Sequence, residues 1–215
     1  MKTFLLIASM TFAFGAGVMA QASAPAPSPL PFLMEVEDVF SISGMGTVAA
    51  GKIERGTIRP GDAVEIVGRG PSVQATVVRV DASGKATAEA AAGTTVGLLL
   101  RGVEKADVAR GRLITRPGSV KAVKKFRAAI DLNPPGDGGR KTPIVSGFRP
   151  QIFFRGTGFS GVLTLLNGKE NAAAGEKAVV VDIELTETAG LEIGTRFFIR
   201  EYGRTIATGA VTSIE

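Results

Sequence analysis

A motif of two glycines and a lysine near the start of the chain has the residue types of a phosphate-binding loop. Residues 46–52 read GTVAAGK, which matches the pattern GxxxxGK. In nucleotide-binding proteins the pattern continues with Ser or Thr, which helps to hold magnesium, and it opens a helix whose N-terminus faces the phosphates. Here Ile53 follows, and the segment has the composition of a β-strand. We therefore expect no nucleotide and no other cofactor.

The acidic residues do not form the pairs that catalysis or metal binding requires. Glu37 and Asp38 are adjacent in a strand-like segment, so their side chains point to opposite faces and do not form a two-carboxylate catalytic pair. Residues 131–140 contain two Asp in a Gly- and Pro-rich stretch, but their spacing fits no EF-hand, and an ordinary loop is the simpler interpretation. The chain has no His and no Cys, which excludes His-dependent nucleophiles and the usual zinc sites. We expect no enzyme activity and no bound metal.

Cations and aromatic residues are interleaved in the second half of the chain. Residues 139–155 contain Arg140, Lys141, Arg149 and Arg155 among several Phe residues. This arrangement suits a sugar-phosphate ligand, because cations neutralise phosphates and rings stack on bases. A strand with its rings buried and its cations solvated gives the same pattern, and is the simpler interpretation. The net charge of +5 is a mild surplus and does not by itself indicate a nucleic-acid surface.

Short strands separated by turns must position these residues. Strand-like segments occur at residues 63–67, 73–80 and 95–100, and a turn is predicted at residues 59–62. Apolar and polar residues alternate in residues 126–132, 179–185 and 195–200. Alternation over this many segments is typical of antiparallel sheets with one buried face. The prediction is an all-β protein of two small antiparallel β-barrels in tandem, with at most one or two helical turns in the Ala-rich residues 85–92.

The chain divides into four segments. Residues 1–20 have Lys2 at the start, an uncharged apolar run and small residues before a cleavage position, as in a signal peptide. An uncleaved membrane anchor is the alternative interpretation of this run. Residues 21–31 form a Pro-rich linker, and the two barrels are expected at residues 32–118 and 119–215. The expected location is the periplasm or the exterior, with no stable membrane span after cleavage.

Four stretches of the sequence resemble elongation factor Tu. They are residues 31–56 (PFLMEVEDVFSISGMGTVAAGKIERG), 96–118, 139–155 and 197–205. They follow that family's order and correspond to its second and third domains, which are β-barrels that help its GTPase domain to hold aminoacyl-tRNA. The resemblance does not extend to the GTPase domain.

The resemblance implies two groups of binding residues. A pocket for the aminoacylated end of the tRNA would be lined by Glu37, Asp38 and Phe40, with Thr47 close by. A surface for the T stem, or for another polyanion, would include Arg140, Lys141, Gln151 and Ser160. These assignments come from the family's motifs.

The sequence departs from the family at several of these positions. Met45 replaces the Arg of the family's Gly-Arg-Gly-Thr, Thr95 replaces an Asn of the pocket, and Lys141 replaces a His. Glu187 takes a position that is basic in the family, where it would repel phosphate. Tyr202 replaces a Gly and would obstruct the approach of an RNA backbone. Binding of tRNA is therefore expected to be weakened.

The expected fold of this chain does not determine its function. The leading hypothesis is an exported, non-enzymatic binding or structural protein whose partner is an unknown envelope protein or a polyanion. The alternative is an elongation factor-like protein that binds tRNA or RNA, which requires the N-terminal segment not to export the chain. An enzyme that uses Asp, Glu, Lys or Tyr alone is a third hypothesis, but the sequence positions no suitable pair.

Overall fold

The computed structural model describes residues 30–215. The predicted signal peptide and all but the end of the predicted linker lie outside these described residues. Within residues 30–215, no helix has the length and apolar character needed to cross a membrane.

The first barrel is closed by six antiparallel strands. The strands of this half are β1 Leu33–Glu35, β2 Asp38–Ile42, β3 Gly46–Arg55, β4 Thr57–Ile58, β5 Ala63–Val67, β6 Val73–Ala82, β7 Lys85–Thr87, β8 Ala90–Ala91, β9 Thr95–Arg101 and β10 Leu113–Thr115. The barrel order is β1-β10-β5-β6-β9-β3, and β3 pairs back to β1. Strand β2 extends the sheet beyond β3, β7 pairs with β6, and β4 pairs with β8. A short 3-10 helix, Lys105–Asp107, precedes β10.

The second barrel is also closed by six antiparallel strands. Its half of the chain contains β11 Lys121–Leu132, β12 Ile144–Val145, β13 Gln151–Phe154, β14 Thr157–Leu165, β15 Asn171–Ala172, β16 Val179–Leu191, β17 Arg196–Glu201 and β18 Arg204–Ile214. The barrel order is β11-β16-β14-β13-β17-β18, while β12 and β15 form a separate pair. A 3-10 helix, Pro135–Asp137, lies in the predicted Gly- and Pro-rich loop. The predicted all-β fold of two barrels is confirmed.

Each barrel has an apolar interior. In the second, the ring of Phe126 meets those of Phe154 and Phe197 edge-on, with centroids 5.7 and 5.8 Å away. The apolar sides of its alternating strands are buried, namely Phe126, Ala128, Ile130, Leu132, Val179, Val181, Ile183, Leu185, Phe197 and Ile199. The first barrel has a largely aliphatic core that includes Met34, Ile53, Ile66, Leu98, Leu100 and Ile114. Burying each large side chain contributes about 1.5–3 kcal/mol, so the predicted alternation identifies much of what stabilises the fold.

The helical turns that composition allowed in one segment do not form. The Ala-rich residues 85–92 form strands β7 and β8 and no helical turn. Gly84 and Gly93 flank the segment with φ of +76° and +89°, so the chain turns at both ends. Eight residues are too few to stabilise a helix alone, and pairing with β6 and β4 supplies the backbone hydrogen bonds instead. The predicted turn at residues 59–62 is present, where the Asp62 N–H donates to the Arg59 carbonyl at 3.2 Å.

Four charged side chains link the barrels at one side of their contact. Arg55 of β3 donates to both carboxylate oxygens of Glu192, at 2.6 and 2.8 Å. Arg155, in the turn between β13 and β14, lies 2.8 Å from Glu54 and 3.9 Å from Glu192. The four side chains therefore alternate in charge across the contact, so each carboxylate faces a cation.

A separate ion pair links the barrels at another point. Arg69 of the first barrel lies 3.1 Å from Glu187 and donates to the Gly158 carbonyl at 2.7 Å. Beside it, the Thr188 hydroxyl donates to the Gly68 carbonyl at 2.7 Å. We call the ion pairs Arg55–Glu192, Glu54–Arg155 and Arg69–Glu187, which are the shortest between the barrels, the seam.

A carboxylate and an apolar contact also lie between the barrels. The Thr157 hydroxyl donates to Glu35 at 3.1 Å. Burial raises the pKa of Glu35 above its ordinary value, against the opposing effect of the Thr157 hydrogen bond. Gly190 packs closely against Leu113, because a Cβ added at Gly190 would lie 2.9 Å from the Leu113 Cδ1 atom. Polar and close apolar contacts together hold the barrels against each other.

Candidate functional site

The GxxxxGK motif lies in strand β3, between β2 and β9. Its second glycine, Gly51, faces β1, where a Cβ would lie 2.1 Å from the Glu35 carbonyl oxygen. Its first glycine, Gly46, has a φ of +131°, and a Cβ there would lie 3.0 Å from the Leu100 carbonyl oxygen. Close packing against neighbouring strands therefore explains why both positions are glycine. The motif lies within a strand and not at a helix N-terminus. The strand predicted from its composition is confirmed.

The hairpin of β2 and β3 carries the first group of predicted binding residues. Phe40, Ile42 and Met45 are exposed by 43%, 41% and 53%. By strand alternation Phe40 and Ile42 share one face with Asp38, while Glu37 precedes β2 and is exposed. We call these residues, Glu37, Asp38, Phe40, Ile42 and Met45, the hairpin surface.

Two other residues assigned to this pocket lie differently. Thr47 stands opposite Ser41 in β3, but its side chain is buried and its hydroxyl donates to the Val103 carbonyl at 3.3 Å. Thr95 is exposed and pairs with Lys52 at the opposite end of β3 from the hairpin turn. The structure thus brings Asp38 and Phe40 together on one exposed face, and it turns the Thr47 hydroxyl inward.

Strand register brings the second group together on the outside of the second barrel. Gln151 of β13 stands directly opposite Ser160 of β14 on one side and Arg200 of β17 on the other. The Arg200 guanidinium lies 5.2 Å from the Phe153 ring centroid, and Phe153 stands opposite Phe198. This row presents amide, hydroxyl, cationic and aromatic groups side by side.

A groove of about 360 Å³ lies at the end of β17 and β18. Arg140, Lys141, Glu201, Tyr202 and Arg204 line it, together with loop residues between β11 and β12. We call these five residues the basic groove. Arg140 pairs with the Glu201 carboxylate, and its guanidinium stacks 4.7 Å above a Phe ring.

The cations of the basic groove differ in their partners. Within residues 30–215, Lys141 and Arg204 form no ion pair, whereas Arg140 is held by Glu201. Tyr202 is 96% exposed at the tip of the hairpin and has a φ of +47°. This left-handed conformation costs a residue with a Cβ about 1–2 kcal/mol, and it projects the ring into solvent beside the two cations.

Two of the charged residues named from the sequence lie at the seam. Glu187 was expected to repel phosphate, but its carboxylate lies 3.1 Å from Arg69. Arg155, one of the interleaved cations, pairs with Glu54. Both charges are therefore compensated from the first barrel, and the free charge of this face is smaller than the sequence suggests.

Sequence reasoning missed Arg200, Glu201 and Arg204 as site residues. A two-residue turn, Tyr202-Gly203, makes Glu201 stand opposite Arg204. The sequence could have indicated this pair, because a two-residue hairpin loop places the residues that flank it directly opposite each other. Arg69 could not have been found this way, since its partner Glu187 is distant in the sequence and lies in the other barrel.

The acidic residues of the described part of the chain are not clustered. Within residues 30–215, no three acidic side chains are grouped as metal ligands. Asp131 of the predicted loop accepts the Ala178 backbone N–H at 2.9 Å, and Asp137 ends the short 3-10 helix. One of the loop's two carboxylates therefore fixes the backbone at the residue before β16.

Two family models match the chain. Residues 46–115 match the model described as elongation factor Tu domain 2, and residues 119–215 match the elongation factor Tu C-terminal domain. The first match lies in the first barrel and the second covers the second barrel. Neither model is that family's GTPase domain. The resemblance read from the motifs is confirmed at the level of these domains.

Proposed function

Because the chain belongs to the elongation factor Tu family through domain 2 and the C-terminal domain, we propose that it is a non-catalytic binding protein of the cell envelope. Its ligand is a polyanion, which the basic groove of the second barrel holds. The observation that carries this proposal is the pair of free cations, Lys141 and Arg204, beside the exposed ring of Tyr202.

The chemistry of the groove favours repeated anionic groups. Lys141 and Arg204 supply ammonium and guanidinium donors that form no ion pair within residues 30–215. Arg140 is already oriented by its stacking and its ion pair, so a ligand phosphate or sulfate would compete with Glu201 for it. With two free cations, binding depends strongly on counterion release and weakens as the salt concentration rises.

The envelope location rests on residues 1–20, whose charge and apolar pattern is that of a signal peptide. A tagged chain should be recovered from the periplasmic or secreted fraction and should begin near Gln21. Mass spectrometry of the purified N-terminus tests this. Full-length protein confined to the cytosol would contradict export and would favour the translation-related alternative.

Contact with tRNA is the alternative function, and one observation favours it. Gln151, Ser160 and Arg200 form a continuous row on the outside of the second barrel. Against it, Tyr202 places a fully projecting ring where the family has Gly. We therefore expect aminoacyl-tRNA to bind no better than other polyanions of similar length.

The test is a titration of the purified protein with heparin, polyphosphate, random RNA, uncharged tRNA and aminoacyl-tRNA. The variant Lys141→Glu with Arg204→Glu should bind each polyanion at least about tenfold more weakly, and its salt slope should fall by about two. The matched control is Lys52→Glu with Lys85→Glu, which changes the net charge equally at exposed positions of the first barrel.

The outcomes separate the two functions. Equal losses in both double variants would mean that net charge alone drives binding and that the basic groove is not a site. A clear preference for aminoacyl-tRNA, lost in Gln151→Ala, would show that the translation-related surface still operates.

A further inference from the structure

Strand β2 lies at the end of its sheet. Its five residues pair only with β3, and no further strand follows β2 in the sheet within residues 30–215. Four of the five are exposed, and only Val39 packs partly against the core. Such an edge leaves backbone N–H and C=O groups open to a further strand.

The backbone groups at this edge are identified by one hydrogen bond. The Val39 N–H donates to the Asp38 carboxylate at 2.8 Å, so it does not donate to β3. Because alternate residues of an antiparallel strand direct their backbone groups to opposite sides, Val39 and Ser41 face the open edge. Ser41 is exposed. The edge therefore offers the Val39 and Ser41 carbonyls and the Ser41 N–H.

The hairpin surface is acidic at one end and apolar at the other. At one end Glu37 and Asp38 are exposed acids that form no ion pair within residues 30–215. At the other end Phe40, Ile42 and Met45 expose apolar surface. An antiparallel strand that complements this sequence carries a cation opposite Asp38 and apolar residues opposite Phe40 and Ile42.

We propose that the hairpin surface binds an extended peptide segment, which adds a strand to the open edge of β2. The partner is a protein segment with two apolar residues at alternate positions followed by Lys or Arg. Main-chain hydrogen bonds to Val39 and Ser41 hold the strand, and the side chains set its direction. This site is in the first barrel and is independent of the basic groove.

The probe is a capped peptide with the core Val-Thr-Val-Thr-Lys, flanked by Thr. In antiparallel register its lysine lies opposite Asp38 and its valines opposite Phe40 and Ile42. A peptide with Glu in place of Lys should bind at least tenfold more weakly. A third peptide, N-methylated at the threonine opposite Ser41, should also bind at least tenfold more weakly, because it keeps the side chains and loses the backbone hydrogen bond.

Two protein variants and one control complete the test. Asp38→Lys should reverse the preference, so that the Glu peptide binds more tightly than the Lys peptide. Phe40→Thr should weaken both. Val145→Thr is the control, because Val145 is an exposed apolar residue of the second barrel, and it should leave both affinities unchanged. Circular dichroism melting verifies that each variant is folded.

Amide exchange and sedimentation distinguish the other occupants of the edge. The peptide should slow hydrogen exchange of the Ser41 N–H, whereas the free protein should remain monomeric in analytical ultracentrifugation. If the free protein dimerised reversibly and Phe40→Thr abolished the dimer, the occupant of this edge would be a second copy of this chain and not a peptide. If neither the Lys-to-Glu change nor N-methylation of the peptide altered its affinity, strand addition would be ruled out.

Discussion

Replacement of Gly51 by Ala should destabilise the first barrel, because the glycine lies where β3 meets β1. A Cβ at this position would lie 2.1 Å from the Glu35 carbonyl oxygen and 3.2 Å from the Met34 Cγ atom. Ordinary contacts begin near 3.4 Å, so the two backbones must separate by about 1 Å. The Glu35 carbonyl belongs to the main chain and cannot swing aside as a side chain could.

The size of the effect follows from the position of this contact. Overpacking a well-packed interior costs about 1–3 kcal/mol. Here the displaced strand closes the barrel through the pairs Leu33↔Arg55 and Met34↔Ile53, so we expect a cost near the upper limit. Loss of glycine's freedom in the unfolded chain returns about 0.4–1 kcal/mol. The net loss is about 2–2.6 kcal/mol, which corresponds to about 8–20 °C in Tm for a domain of this size.

Calorimetry and urea denaturation followed by circular dichroism measure the change, since the chain has no Trp. Gly97→Ala is the matched control, because Gly97 lies in the adjacent strand β9 and its added Cβ would meet only the Val48 Cγ1 atom at 3.4 Å. That variant should stay within about 1 kcal/mol of the parent. If Gly51→Ala were as stable as Gly97→Ala, the assigned role of the motif's second glycine would be wrong.

Three further outcomes are expected. Glu192→Gln should lower stability by about 1 kcal/mol, because it weakens a bidentate but partly solvent-screened pair with Arg55; Lys125→Gln, which loses a mainly exposed pair, is the control in denaturant titrations. Glu35→Gln should stabilise the protein at neutral pH. The raised pKa of Glu35 means that the folded state holds its proton more tightly, so stability falls as pH rises through that pKa, and the advantage of Gln should vanish in acid. GTP or ATP with magnesium should show no saturable binding in calorimetric titration, and a micromolar affinity lost in Lys52→Ala would contradict the structural role of the motif.

The fold was predictable because burial in small barrels follows a period of two. Phe126, Ala128 and Ile130 alternate with exposed or half-buried neighbours, and all three are buried as expected. Composition was a poorer guide where it was unsupported by alternation. The Ala-rich residues 85–92 have helical propensity, but backbone pairing with β6 and β4 outweighs a preference of a few tenths of a kcal/mol per residue.

The contacts between the barrels could not be predicted from the sequence. Arg55 and Glu192 lie 137 positions apart, and no local pattern joins them. A salt bridge of this kind depends on how two complete barrels are oriented, which is a property of the tertiary structure. Short-range pairing was accessible by contrast, as the turn Tyr202-Gly203 fixes Glu201 opposite Arg204.

The seam also changes how the departures from the family's tRNA surface act. From the sequence, Glu187 and Tyr202 are two obstacles to an RNA backbone, one electrostatic and one steric. Arg69 lies 3.1 Å from Glu187 and compensates its charge, so electrostatic repulsion at that point is largely removed. Tyr202 remains, with 96% of its surface exposed and a backbone conformation that carries strain. The shape of one hairpin tip, more than the charge of the face, is therefore the main departure of this face from the family's T-stem surface.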